Sequence, residues 1–177
     1  PFRCNKVKIA EDGEILVKGE NIMLGYWNNK VETEKVLVDG WLHTGDIGKF
    51  VNNYLKITDR KKDILITPGG DNISPVKVET AITNSNFIDQ CLVYGDNKPY
   101  LVALIVLNIQ IHISEEDLSV EMEKINKNLT KIEKIKKYFV VKENFSIENG
   151  MMTPTLKLKR YKIIKLYKKN FEELYNN

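Results

Sequence analysis

Residues 59–79 read DRKKDILITPGGDNISPVKVE and contain a charged run, a short apolar segment, a turn and the start of a helix. The largely apolar segment 63–67 predicts a strand, which ends at the Pro-Gly-Gly sequence of residues 68–70 because these residues interrupt regular pairing. Pro75 predicts the first turn of a helix that continues to about Asn84, since the N–H that proline lacks would have no intrahelical partner there. This succession of strand, turn and helix predicts a domain that mixes both kinds of secondary structure.

Strand-like segments of apolar residues follow downstream. Residues 90–95 and 100–108 predict two strands, and residues 137–143 predict a third. The longest apolar run, residues 101–107, has the length of a strand and falls far short of the ~20 residues that a membrane-spanning helix needs. The composition therefore does not predict a transmembrane protein.

Two helices are predicted in the same part of the chain. Ser114 is followed three residues later by an acid, which is a capping-box pattern. The helix after it has apolar residues at spacings of four, three and four, which indicate one buried face: Leu118, Met122, Ile125 and Leu129. The last helix, from about Tyr161, is predicted to bury Ile164, Tyr167, Phe171 and Leu174. We therefore predict an α+β fold in which helices flank a central sheet.

The N-terminal third differs from the rest in pattern and in charge. Residues 7–19 predict two strands around a turn, residues 28–38 predict a short helix, and strand-like runs with glycines follow between 41 and 60. Residues 1–59 have 8 basic and 9 acidic groups, a net charge of −1, whereas residues 60–177 have 19 and 15, a net charge of +4. This shift favours a boundary between two pieces near the turn-rich stretch that follows Asp59.

Composition also excludes several classes of protein. With 42% hydrophobic and 29% charged residues, the chain can bury a core, so it is neither disordered nor collagen-like. Cys4 and Cys91 lie far apart and belong to no CxxC pair, which predicts two thiols in a reducing compartment rather than a zinc site or a disulfide. The chain begins at Pro1 without a methionine or a secretory signal, and we expect either a piece of a longer protein or a protein whose start was removed.

Four segments stand in one order along the chain: GEILVKGENIMLGYWNNKVETEKVL (13–37), GWLHTGDIG (40–48), DRKKDILITPGGDNISPVKVE (59–79) and ENGMMTPTLKLKR (148–160). Their order and spacing resemble the C-terminal third of the adenylate-forming superfamily, which includes acyl-CoA synthetases, luciferases and peptide-synthetase adenylation domains. TPGGDNISPVKVE and TPTLKLKR are most similar to the long-chain fatty acyl-CoA synthetases, including the bubblegum-type branch. The resemblance covers almost the whole chain.

The resemblance implies a division into domains. Residues 1–58 would be the C-terminal tail of a large adenylating domain, residues 59–62 a hinge, and residues 63–177 a small mobile α+β domain. Lys62 falls where related enzymes have an Asp or Lys hinge residue, about which the small domain rotates between an adenylating and a thioester-forming pose. Solvated surface charge is the alternative for Lys62, because Lys61 stands beside it.

Asp46 and Arg60 match the family positions that bind the ribose of ATP. A carboxylate offers two acceptor oxygens, which suits the paired hydroxyls of a ribose. Only three of the 27 basic residues are arginines (Arg3, Arg60 and Arg160), so each is informative because lysine cannot replace the planar guanidinium fork. A carboxylate in a turn and a surface charge are the alternatives for Asp46 and Arg60.

Gly69 and Gly70 match the loop that, in the resembled enzymes, helps to form the channel for the pantetheine arm of CoA. Neither residue has a Cβ, so a ligand or another backbone can approach closely, but a tight hairpin turn would explain the same pair. The Rossmann and P-loop patterns are absent. Glu79 belongs to the same motif, where we expect a structural or hinge-partner residue.

Lys157 matches the catalytic lysine of the family. Joining a carboxylate to ATP builds negative charge where the carboxylate oxygen meets the α-phosphate, and an ammonium group at that point stabilises the transition state. Much of the superfamily has Ser-Gly before this lysine, whereas Thr155 and Leu156 precede it here. Lys159 is predicted on the same side of a strand and stays an alternative.

The resemblance implies an ATP-dependent long-chain fatty acid:CoA ligase as part of a longer chain. Fatty acid, ATP and CoA would be its substrates, with Mg²⁺ accompanying ATP, and we expect no metal ligands in these residues. The phosphate loop and the acyl pocket lie upstream in the family, so the 177 residues alone are expected to be inactive. An alternative of the same fold stops at the adenylate or passes the acyl group to a carrier protein.

Another alternative arises from the basic residues 157–169, which contain seven basic groups and no acid. Such a stretch is usually a solvated helix face, but it would also suit a module that binds membranes or RNA. We expect a cytoplasmic protein without a nucleic-acid partner, and leave open peripheral membrane contact through the basic C-terminal helix. His43 and His112 are interpreted as a surface and a strand-end histidine.

Overall fold

The structure is a computed structural model that describes residues 5–176, so the thiol predicted at Cys4 lies outside the described residues. Contacts between residues divide the chain into two compact units, residues 1–64 and residues 65–177, which we refer to as the N-terminal unit and the C-terminal unit. The domain limits predicted on either side of residues 59–62, and the function of these residues as a hinge, stay predictions.

The N-terminal unit is a five-stranded antiparallel sheet with one short helix. Its elements are β1 (Lys6–Ile9), β2 (Glu14–Lys18), α1 (Lys30–Val36), β3 (Leu37–Val38), β4 (Trp41–Val51) and β5 (Tyr54–Arg60), followed by a 3₁₀ turn (Lys61–Asp63). The strand order is β1-β2-β4-β3, and β5 also pairs with β4. Because β4 pairs with three strands, the Thr-Gly-Asp sequence within it is held between neighbours on both edges.

The C-terminal unit contains a short hairpin, a three-stranded sheet and four helices. Its elements are β6 (Leu65–Ile66), β7 (Asn72–Ile73), α2 (Pro75–Thr83), β8 (Ile88–Tyr94), β9 (Leu101–Leu107), α3 (Glu115–Lys127), β10 (Ile135–Val141), α4 (Arg160–Leu166) and α5 (Lys168–Asn176). The sheet order is β10-β9-β8, with β8 antiparallel and β10 parallel to β9, so α3 lies in the crossover between β9 and β10. β6 is shorter than the strand predicted for residues 63–67, because the 3₁₀ turn includes Asp63.

β9 is the centre of the C-terminal unit and is buried on both faces. Leu101, Ala103 and Ile105 belong to the cluster that also contains residues of α2 and α3. Val102, Leu104 and Val106 belong to the cluster that also contains residues of α4 and α5. The continuous apolar run follows from this arrangement, since a strand covered on both sides needs no polar face. The predicted α+β fold is confirmed.

The helix predictions are confirmed for α3 and partly wrong at the C-terminus. All four residues of the predicted α3 face are buried: Leu118, Met122, Ile125 and Leu129. The single last helix is instead two, because the chain leaves helical geometry at Tyr167, where α4 ends. Ile163 and Phe171 are the buried residues there, whereas Ile164 is only half-buried. Among residues 5–176, none of the helices has both the length and the apolar character required to cross a bilayer.

Candidate functional site

Asp46 and Arg60 lie opposite each other on β4 and β5. Their Cα atoms are partners in the strand register, and Arg60 Nε donates to Asp46 Oδ1 over 2.8 Å. The Arg60 side chain is 57% exposed and the Asp46 side chain 23%, so solvent and ligands can reach the pair. The guanidinium holds the carboxylate in one orientation, in which ribose hydroxyls could donate to it. The structure thus brings together the two residues predicted to bind ribose, while ribose binding itself stays a prediction.

The backbone that leads to Asp46 is held by one hydroxyl and one glycine. Thr44 Oγ1 donates to the carbonyl of Ile15 at 2.7 Å and accepts from the N–H of Asp46 at 3.1 Å. Gly45 has φ +68, in the left-handed region that favours glycine. This local geometry sets the direction of the Asp46 side chain.

Glu14 is not among the residues that the sequence predicts for the site, yet it contacts the chain neighbours of several of them, Gly45 before Asp46 and Lys61 between Arg60 and Lys62. Its side chain is 5% exposed, and its carboxylate accepts hydrogen bonds from Lys61 Nζ at 2.9 Å and Gly45 N at 2.8 Å. His43 Nδ1 lies 3.0 Å from the same carboxylate. Burial raises the pKa of Glu14, but the bonds from Lys61, His43 and Gly45 outweigh it and leave the pKa lowered. The one sequence signal is an acid directly before the three apolar residues of β2.

Lys61 and its neighbour Lys62 have different surroundings. Lys61 Nζ lies 2.6 Å from Asp12 Oδ2 and 2.9 Å from Glu14 Oε2. The bond to Asp12 and then that to Glu14 raise the pKa of Lys61, against the smaller effect of burial. Lys62 is exposed, and within residues 5–176 no ion pair is found for it. Ion pairs therefore hold the chain in the N-terminal unit at Lys61, one residue before the predicted hinge residue Lys62.

Gly69 and Gly70 form part of a closed turn in the C-terminal unit. The N–H of Gly70 donates to the carbonyl of Thr67 at 2.9 Å, and the N–H of Thr67 donates to that of Asp71 at 2.9 Å. Gly70 has φ +86, and a Cβ there would meet nothing within 4 Å. The space beside this turn is therefore open to a ligand. The turn also joins the paired strands β6 and β7, so the tight hairpin turn that was the alternative is observed as well.

A cavity of about 690 Å³ lies beside this turn and includes Gly69 in its wall. Tyr100, Leu101 and Ile73 supply aromatic and apolar surface. Four lysines also line it: Lys98, Lys131, Lys134 and Lys136. A cavity with this lining suits a ligand that has both an apolar part and several negative charges.

Lys157 is exposed and lies at the end of a tight turn, not in the predicted strand. The N–H of Thr153 donates to the carbonyl of Lys157 at 2.8 Å, and Thr153 Oγ1 accepts from the N–H of Lys157 at 3.1 Å. Residues 157–159 form no regular strand, since Leu158 makes only an isolated bridge with Met152 and Lys159 is the N-cap residue of α4. Lys159 is also exposed and stays an alternative to Lys157.

Leu156 is one of the positions at which this chain departs from the family pattern. It has φ +58, which is the left-handed region, and its side chain is 67% exposed. A glycine precedes the lysine in much of the resembled superfamily, and glycine adopts this conformation without strain. The position before Lys157 thus has the backbone geometry that a glycine would favour, although a leucine occupies it.

Arg160 and Glu79 form a largely buried ion pair. Arg160 Nη1 lies 2.6 Å from Glu79 Oε1, and the two side chains are 15% and 13% exposed. Arg160 Nη2 donates to the carbonyl of Val93 at 2.7 Å, and the N–H of Val93 donates to Glu79 Oε1 at 2.7 Å. Cys91 lies nearby on β8, where burial and then the charge of Glu79 raise the pKa of its thiol well above its usual value. This pair joins the first residue of α4 to α2 and to β8.

Comparison with known proteins identifies the family. Residues 62–177 match the family described as the AMP-binding enzyme C-terminal domain. The chain belongs to this family. It is 32% identical to the long-chain-fatty-acid–CoA ligase FadD15 of Mycobacterium tuberculosis over 99% of this chain and 33% of that protein. It is 35% identical to long-chain-fatty-acid–CoA ligase 5 of Rattus norvegicus over 100% of this chain and 31% of that protein.

The resemblance to long-chain fatty acyl-CoA synthetases is therefore confirmed. The chain spans about a third of the length of these curated relatives. Long-chain-fatty-acid–CoA ligase 6 of Homo sapiens is similar to the same extent, with 34% identity over 99% of this chain and 30% of that protein.

Solved structures of AMP-binding enzymes have the same fold. The o-succinylbenzoate CoA synthetase MenE of Bacillus subtilis, in complex with AMP, is 29% identical with a TM-score of 0.72 over 91% of this chain and 34% of that chain. The A-PCP didomain of a carboxylic acid reductase from Segniliparus rugosus, in complex with AMP, is 25% identical with a TM-score of 0.83 over 97% of this chain and 27% of that chain.

In the part of the chain that the structure describes, no group of three or more His, Cys, Asp or Glu side chains could hold a metal ion. Glu14 and Asp12 of the same unit are both paired with Lys61. We therefore assign no step to a metal held by these residues.

Proposed function

We propose that these residues are the C-terminal part of an ATP-dependent long-chain fatty acid:CoA ligase. The observation that carries the proposal is the identity of 32–35% to curated long-chain-fatty-acid–CoA ligases over essentially the whole of this chain. The Asp46–Arg60 pair, the Gly69 turn and the exposed Lys157 supply groups that suit the steps of such a reaction. Because the relatives are about three times longer, the remaining groups would come from other residues of the protein.

In the first half-reaction, a carboxylate oxygen of the fatty acid attacks the α-phosphorus of ATP. The bond from this phosphorus to pyrophosphate breaks, and acyl-AMP and pyrophosphate form. Lys157 would stabilise the negative charge that develops on the oxygens between the two reactants. Asp46 and Arg60 would hold the ribose and so fix the position of the α-phosphate.

In the second half-reaction, the sulfur of CoA attacks the acyl carbonyl carbon. The thiol proton is released to water, the bond from the acyl carbon to AMP breaks, and acyl-CoA and AMP form. The Gly69–Gly70 turn would lie along the pantetheine arm, since a backbone without Cβ atoms permits close approach. The lysine-lined cavity beside it would accommodate the phosphates of CoA, with Lys131 and Lys134 as point charges.

We propose that the small domain changes its pose between the two half-reactions, because a different group of this domain would act in each. We assign the change to Lys62, whose side chain is exposed, next to the fastened Lys61. Hinges are typically a few residues at the ends of elements, and Lys62 lies in the 3₁₀ turn directly after β5.

The experiment uses the complete protein and assays the half-reactions separately. Lys157→Ala should slow acyl-AMP formation about 100-fold or more, because an ammonium group is lost from the transition state. Thioester formation from supplied acyl-AMP and CoA should stay within about twofold, since Lys157 would act only in the first step.

Lys159→Ala is the matched control, and it should leave both steps close to those of the unmutated protein. If Lys159→Ala, and not Lys157→Ala, abolishes acyl-AMP formation, the assignment of Lys157 is wrong. If the unmutated protein forms no acyl-AMP from any long-chain fatty acid, the proposed function is wrong. Thioester formation with a phosphopantetheinylated carrier protein but not with CoA would favour a carrier-dependent ligase instead.

A further inference from the structure

We propose that Arg160 and Glu79 are positioning residues that hold Lys157 in place for acyl-AMP formation. The inference rests on the proposed function and goes beyond it, because neither residue would touch the substrates. The observation that carries it is the buried ion pair three residues after Lys157, which fastens one end of the turn to the core of the C-terminal unit.

The turn itself is small and firmly closed. Thr153 brackets it with two bonds to the backbone of Lys157, and the N–H of Lys159 donates to the carbonyl of Met151 at 2.8 Å. An isolated bridge between Met152 and Leu158 closes the base. These contacts fix the shape of the turn but do not determine where it stands on the domain.

Two polar anchors hold that position, together with the side chain of Met151, which is buried in the core. Upstream, Gln90 on β8 donates to the carbonyl of Phe145 at 2.9 Å and accepts from its N–H at 2.7 Å. Downstream, Arg160 binds Glu79 on α2 and the carbonyl of Val93 on β8. Three residues span at most about 10 Å, so a shift of Arg160 would be transmitted directly to Lys157. A displacement of about 1 Å at a catalytic group can cost about 100-fold in rate.

The choice of arginine supports this function. Only three of the 27 basic residues are arginines, and one of them is Arg160. Its two terminal nitrogens reach two different acceptors, a carboxylate and a backbone carbonyl, in one plane. Lysine has one nitrogen and cannot make both bonds in this geometry. The buried position also keeps the pair away from solvent, where the competing bonds to water would loosen it.

The test is Arg160→Lys in the complete protein. We expect the kcat of acyl-AMP formation to fall about tenfold or more, with the KM values for ATP and fatty acid little changed, because the groups that bind them are intact. Thioester formation from supplied acyl-AMP and CoA should stay within about threefold. Glu79→Gln should be milder, because the amide oxygen still accepts a hydrogen bond from Arg160.

Lys165→Ala is the matched control, since Lys165 is an exposed basic residue of the same helix. It should leave both steps unchanged. A parallel fall of both half-reactions in Arg160→Lys would overturn the inference and indicate a structural function alone, and so would normal rates of both. These outcomes differ from a failure of the proposed function, in which the unmutated protein forms no acyl-AMP.

Discussion

Two arginine–carboxylate pairs among residues 5–176 have the same chemistry and opposite surroundings. Arg60 and Asp46 lie on adjacent strands of the N-terminal unit with 57% and 23% of their side chains exposed. Arg160 and Glu79 join two helices of the C-terminal unit with 15% and 13% exposed. Solvent competes for the first pair and is largely excluded from the second. A ligand can reach the exposed pair, whereas the buried pair can only stabilise the folded structure.

The largest expected effect is a difference in the free energy of unfolding that is lost when each pair loses its carboxylate. Glu79→Ala should lower the free energy of unfolding of the C-terminal unit by about 3 kcal/mol, because Arg160 would stay buried without its carboxylate partner. Asp46→Ala should lower that of the N-terminal unit by less than about 1 kcal/mol, because Arg60 can turn to water.

Both effects would be measured by urea unfolding, with hydrogen–deuterium exchange of peptides from each unit as the probe of unfolding. Lys165→Ala serves as a surface control in the C-terminal unit. Equal losses of stability for the two carboxylate variants would contradict the contrast between the pairs.

The second effect tests Glu14, a buried carboxylate in the N-terminal unit. Glu14→Gln should lower the free energy of unfolding by about 2 kcal/mol at neutral pH, because bonds from Lys61, His43 and Gly45 lose their charged acceptor. The folded-state pKa of Glu14 lies below its ordinary value of 4.5, so its ionisation contributes stability above that pH. This contribution is lost as the pH falls from 4.5 through the lowered folded-state pKa.

Unfolding of the two proteins by urea at several pH values between 7 and 3 would show the effect. The difference in stability should be largest near pH 7 and shrink below pH 4.5. Glu11→Gln is a suitable control, since Glu11 is an exposed acid in the turn before Glu14. A difference that grows towards low pH would contradict the lowered pKa.

The smallest effect concerns the turn that holds Lys157. Leu156→Gly should stabilise the C-terminal unit by about 0.5 kcal/mol, because glycine relieves the left-handed strain and only an exposed side chain is removed. Thr155→Gly should destabilise it by a similar amount, since the Thr155 hydroxyl contacts that of Thr153 at 3.0 Å. Thermal unfolding of both variants would distinguish them, and loss of stability in Leu156→Gly would show that the leucine side chain is needed.

Local sequence predicted most of the elements. The Ser114 capping pattern and the apolar stripe after it predicted α3, and Pro75 predicted the start of α2, because these signals act within one or two turns of helix. The break at Tyr167 was not predictable, since α4 and α5 both present apolar residues at helical spacing. The end of α4 depends on how Ile163 and Phe171 enter the core, which is a property of packing.

The residues of the candidate site likewise include some that the sequence predicted and one that it did not. The motifs around Asp46, Arg60, Gly69 and Lys157 were visible in the sequence because each lies within a short segment. Glu14 was not, because its donors stand 29 to 47 residues away along the chain. A buried acid in a strand becomes a candidate only when the residues that satisfy it are known.

The amino-acid sequence by itself determined the α+β composition, the order of the strands and helices along the chain, and the similarity to AMP-binding enzymes. These properties depend on periodicity, turn residues and short motifs, which act between near neighbours. Only the tertiary structure decided that Arg160 meets Glu79, 81 residues earlier, and that Lys61 meets Glu14, 47 residues earlier. Such pairs form because the sheet and helices bring distant segments together, and no local pattern specifies which charge will meet which.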